Sequence, residues 1–73
     1  MEKFFVVTDI VTESEPIYIN PKQVTSFYTN ITREGIRTGF ILMADGNCHE
    51  VTEEANEIME LIKNLYKFPS ENI

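Results

Sequence analysis

The stretch that decides the fold runs from Phe40 to Tyr66, FILMADGNCHEVTEEANEIMELIKNLY. Phe40 to Ala44 is a run of apolar residues that reads as a strand, Asp45-Gly46 as a tight turn, the residues up to Val51 as a returning strand, and the remainder as an amphipathic segment. An Asp-Gly pair between apolar runs is a strong hairpin signal, because a two-residue type I′ turn needs positive φ at both central positions. The register stays open at this level. A two-residue loop sets Leu42 opposite His49, whereas a three-residue loop that includes Asn47 sets Met43 opposite it, and a one-residue slip exchanges the two faces.

From Glu53 to Lys67 the apolar positions Ala55, Ile58, Met59, Ile62, Leu65 and Tyr66 follow the spacing of one helical stripe. The spacing predicts a helix over about 53–67. Thr52 is the candidate N-cap, its hydroxyl able to accept from a free backbone N–H of the first turn. Glu53, Glu54 and Glu57 stand near the positive end of the dipole and Lys63 and Lys67 near the negative end. Pro69 is the stop.

Upstream, β-branched and aromatic residues predict strands over about 3–11, 17–20, 24–32, 36–44 and, closing the hairpin, 47–51. Asn20-Pro21 and Arg33-Glu34-Gly35 are turns, and Gly39 inside a strand signals a bulge or a close backbone approach. The expected fold is α+β: an antiparallel meander of about five strands, with one C-terminal helix packed on a face, in a single domain spanning 1–73. Phe4–Val7 and Phe40–Ala44 are apolar on both faces, and one helix covers only one. Either a second molecule covers the other face, or the sheet coils and closes on itself.

Seventy-three residues with a single cysteine, Cys48, offer a thin core and no internal disulfide, which favours oligomerisation as the means of stabilisation. The N-terminal apolar run Phe4–Val7 is too short for a signal peptide, and no stretch approaches a membrane span, so a cytoplasmic setting is expected. The net charge is −6, and it is concentrated in residues 38–73, where seven acids stand against two bases. That field opposes phosphate backbones and disfavours nucleic acid as a partner. Lys22, Arg33 and Arg37 are the candidate basic contacts if the chain is instead a nucleic-acid regulator. Glu50 to Glu60 is the candidate surface for an acidic mimic of nucleic acid.

No catalytic set is legible. His49 and Cys48 are neighbours on a strand and point to opposite faces, so they do not form a base and nucleophile pair. Glu50, Glu53, Glu54, Glu57 and Glu60 are the carboxylates that could be imagined as a cation site, and Glu53, Glu57 and Glu60 lie near one another on the helix, but the oxygen-rich loop of a calcium site is missing and a solvated face is the expectation. Gly35, Gly39 and Gly46 are separated and none precedes a helix, so there is no phosphate cradle. The reading is of a non-enzyme with no cofactor and no metal.

The pattern Ile17-Tyr18-Ile19-Asn20-Pro21-Lys22-Gln23-Val24, then Ile41-Leu42-Met43-Ala44-Asp45-Gly46, then Val51 and Glu57-Ile58-Met59-Glu60-Leu61-Ile62, resembles the small bacterial flagellar FlbD-type proteins. The resemblance implies a short, cytoplasmic, non-enzymatic chain with strands joined at an N-P turn and closed by a helix. The order of turn, strand, D-G hairpin and helix is also similar to the first part of a LytTR-type DNA-binding domain; the basic DNA-contacting segment of that pattern is missing, and the helix here is acidic. The functional expectation is a protein-interaction or accessory protein that self-associates or binds a protein partner through the sheet face away from the helix. Phe5, Val7, Tyr28, Phe40 and Leu42 are the candidate contacts.

Overall fold

The computed structural model describes residues 3–66. Its elements are β1 (Phe5–Thr8), β2 (Pro16–Ile19), a 3-10 turn (Pro21–Gln23), β3 (Val24–Ile31), β4 (Arg37–Met43), β5 (Cys48–Val51) and α1 (Ala55–Leu65). All strand pairs are antiparallel, and the helix packs against them, so the architecture is α+β. The meander is interrupted at one place. β2 and β3 do not pair, and the strands form a β1–β2 hairpin and a β3–β4–β5 sheet. The break falls at Asn20-Pro21, where the Asn20 side chain accepts from the Lys22 N–H and the chain makes a 3-10 turn instead of a hairpin.

The two sheets meet at a single bridge between Asp9 and Val51. There the Thr52 N–H donates to the Thr8 carbonyl (3.0 Å) and the Ile10 N–H to that of Glu50 (3.1 Å). β1 is thereby held beside β5, at the point where the chain leaves β5 for the helix.

Both hairpins of the larger sheet close with the same three-residue loop. Met43 donates its N–H to the Asn47 carbonyl and accepts from Gly46, whose φ is 93°; Thr32 does the same with Ile36 and Gly35, whose φ is 85°. This is a type I turn followed by a left-handed glycine. The register that results puts Ile41, not Leu42 or Met43, opposite His49, and Leu42 opposite Cys48. Ala44 belongs to the loop, which neither reading of the sequence included. The Asp45 carboxylate stabilises this form by accepting from both the backbone and side-chain nitrogens of Asn47.

This register sorts the residues. Phe27, Ile41 and His49 share the helix-facing side with Thr29, Gly39 and Val51, while Ser26, Leu42, Cys48, Tyr28, Phe40 and Glu50 share the other. The core is one cluster of Phe5, Val7, Ile19, Ile41, Val51 and Ile58, so hairpin, sheet and helix contribute to the same interior.

The helix enters this core two residues later than the sequence suggests. Thr52 is not its cap: its N–H is engaged with Thr8, its hydroxyl donates to the Glu53 carboxylate, and the chain bends at Thr52 and Glu53 before the helix begins. Glu54 occupies the N-cap, and its N–H donates to the Glu57 carboxylate as in a capping box (3.0 Å). The Ala55 N–H donates to the Thr29 hydroxyl on β3 (2.9 Å), so a neighbouring strand satisfies one of the free donors of the first turn. Inside, Ile58 is fully buried, with Leu61, Ile62 and Leu65 packed around the core. Met59, placed on the stripe by its spacing, is exposed, and Leu61 takes the inward position. Lys67 and Pro69, expected near the end of the helix, lie outside the described residues.

Gly39 makes the close approach its position in β4 suggests. A methyl group there would overlap the Glu53 carbonyl oxygen and stand 3.1 Å from Ile58 Cδ1. The Glu53 carboxylate in turn accepts from the Thr8 N–H (2.8 Å) and hydroxyl (2.9 Å). Gly39→Ala is therefore expected to destabilise the fold by about 2 kcal/mol or more, since backbone must move to admit the methyl. Denaturant titration checks this, and a loss below about 0.5 kcal/mol would contradict the packing described. Glu53→Ala, which strips the Thr8 N–H of its partner, is expected to cost about 1–3 kcal/mol in the same assay.

Candidate interaction surface

The sheet face turned away from the helix carries the surface apolar residues that the sequence brings together most closely. Tyr28 and Phe40 are cross-strand partners on β3 and β4, and their rings stack with centroids 5.4 Å apart and planes inclined by 20°. Such a pair contributes about 0.5–1.5 kcal/mol beyond its burial, so it holds a defined shape on the surface. Phe40 is half-buried. Tyr28 remains 52% exposed, because Phe40 covers only one side of its ring and the other side looks toward the free edge of the sheet. Leu42 and Cys48, paired across β4 and β5, continue the face at its margin.

The face has one charged residue, Glu50, and its carboxylate accepts from the hydroxyl of the buried Thr38 (3.1 Å). The remainder, Ser26, Asn30, Tyr28, Phe40, Leu42 and Cys48, is uncharged.

Phe5 and Val7 do not belong to this surface. They are 3% and 0% exposed, facing Ile19 and Ile17 in the core. The alternation of β1 decides this: Phe5 and Val7 turn inward, and it is Phe4 and Val6 that are left partly exposed. Val6 lines an open groove of about 430 Å³ with Glu53, Asn56, Glu57, Glu60 and Leu61.

The acidic stretch is largely structural. Glu53 holds Thr8, Glu54 forms an ion pair with Arg37 (2.8 Å), Glu57 accepts from the helix start and Glu60 stands 3.7 Å from Lys63. The expectation of a solvated acidic face is corrected for Glu53 and Glu54, which tie the helix start to β1 and β4.

The basic residues do not form one patch. Lys22 and Arg33 flank opposite ends of β3, and the Arg37 guanidinium is committed to Glu54. Cys48 and His49 occupy opposite faces of β5, Cys48 exposed and His49 half-buried beside Ile41. Among the described residues no group of three His, Cys, Asp or Glu side chains is arranged to hold a metal ion, and no helix is long and apolar enough to cross a membrane.

The Tyr28–Phe40 stack was accessible to sequence reasoning only as two separately apolar positions. Their pairing depends on the Arg33–Gly35 loop, whose three-residue form fixes which residues of β3 and β4 face one another. Comparison of the chain with protein-family models, with curated proteins and with solved structures finds no match.

Proposed function

We propose that this chain is a small, cytoplasmic, non-enzymatic interaction protein that self-associates through the far face of β3 and β4, centred on the stacked Tyr28–Phe40 pair. The observation that carries the reading is that stack, on a side the helix does not cover, where the one charged neighbour is Glu50, bonded to the Thr38 hydroxyl. Charge favours a second copy as the occupant. Two molecules of net charge −6 repel, and they approach most easily where each presents the least charge, here Glu50 alone. The small size of the chain points the same way, because a core of six buried apolar side chains gains from added burial.

Light scattering over a micromolar to millimolar series tests this. The mass is expected to rise from the 8.5 kDa of one chain toward twice that value. Tyr28→Lys, which sets a charge into the surface without touching the core, is expected to hold the mass at that of one chain while the circular dichroism spectrum stays that of the parent. A parent mass that stays at one chain throughout, or a Tyr28→Lys variant that associates as well as the parent, would overturn the proposal.

A further inference from the structure

The ladder geometry leaves the outer edge of β3 open among the described residues. In an antiparallel pair, hydrogen-bonded positions alternate with positions whose N–H and C=O point the opposite way. The bond from Thr32 N–H to the Ile36 carbonyl sets that alternation for β3 and β4, so Asn30, Tyr28 and Ser26 bond to β4. The N–H and C=O groups of Phe27, Thr29 and Ile31 point off the sheet, and none of them has a partner among the described residues.

Exposed edges are ordinarily blunted by charge, proline, bulges or short length. The outer edge of β2 has two of these devices, being four residues long and beginning with Pro16. β3 has eight residues, no proline and no charge, and its one irregularity lies at its start, between Val24 and Ser26. It sits within Gln23–Thr32, the longest run without a charged residue in the chain. A strand is complementary to itself when it pairs antiparallel across a two-fold axis.

We propose that two copies of this chain pair their β3 strands antiparallel about an axis at Tyr28, joining two three-stranded sheets into one of six strands. This rests on the self-association proposed above and specifies its geometry. Phe27 of each copy exchanges both backbone hydrogen bonds with Thr29 of the other, because these are the outward-pointing positions. Tyr28 then faces its own copy in the closer, non-hydrogen-bonded type of pair. The side of the Tyr28 ring that Phe40 leaves open is covered by the second Tyr28, and four rings line up across the seam. Leu42 lies two residues along β4 from Phe40 and takes no part.

Amide hydrogen exchange of the full chain, read residue by residue by NMR at high and low concentration, tests the geometry. The amides of Phe27 and Thr29 are expected to exchange slower by at least an order of magnitude in the associated state and to lose that protection on dilution. If the chain associates while the Phe27 and Thr29 amides exchange as freely as in the dilute state, edge pairing is overturned and self-association stands. If the mass stays that of one chain at every concentration, both are overturned.

Discussion

The fold depends on how the chain passes from β5 into the helix at Thr52 and Glu53. Three contacts fasten two strands there at once, β1 and β4. The Thr52 N–H completes the bridge to β1, the Glu53 carbonyl lies over Gly39 of β4, and the Glu53 carboxylate caps the N–H and hydroxyl of Thr8. A hairpin of two strands is marginal in water, and β1–β2 is tied to the larger sheet by one bridge only. Its stability therefore comes from this junction and from burying Phe5, Val7 and Ile19 against Ile41, Val51 and Ile58. Glu54 adds a second tie through Arg37, holding the start of the helix against β4.

Much of this was legible in the sequence because it follows from periodicity and turn chemistry. β-branched and aromatic runs located the five strands, helical spacing located α1, and Gly39 announced a bulge or a close backbone approach. What failed did so for definable reasons. The Asp45-Gly46 pair fits two-residue and three-residue turns alike, and the choice rests on Asn47 donating to Asp45, a contact no pattern reports. Thr52 looked like a cap because its type is right, but its N–H is needed by Thr8, forty-four residues earlier. The glutamates looked like a solvated face because their partners, Thr8 and Arg37, are distant in sequence. For the surface, Phe5 and Val7 were placed outside because a strand apolar on both faces gives no sign of which face is the core. Tyr28, Phe40 and Leu42 lie on the face away from the helix, an assignment the sequence left open because the hairpin register was not fixed.

The chain's acidity acquires a sense from these positions. Four glutamates between Glu50 and Glu57 are spent on internal bonds, to Thr38, Thr8, Arg37 and the helix start. The uncharged residues are concentrated instead on β3 and the middle of β4, where the polar backbone of the edge is also unpaired. A surface that is both uncharged and rich in unused hydrogen-bonding groups satisfies two needs with one contact: apolar burial on the far face and backbone pairing along the edge. In the proposed pair the acidic remainder of the molecule confines contact to that strip, which favours a closed pair over an open fibre.

The most direct measurement of this account is an isotope-filtered NOE experiment on an equal mixture of labelled and unlabelled chains, which reports only proton contacts between copies. The account predicts a cross-peak between the Hα of Tyr28 in one copy and the Hα of Tyr28 in the other, with further contacts confined to Ser26–Asn30. Contacts between copies that fall elsewhere, or a mixture that shows none at millimolar concentration, would contradict it.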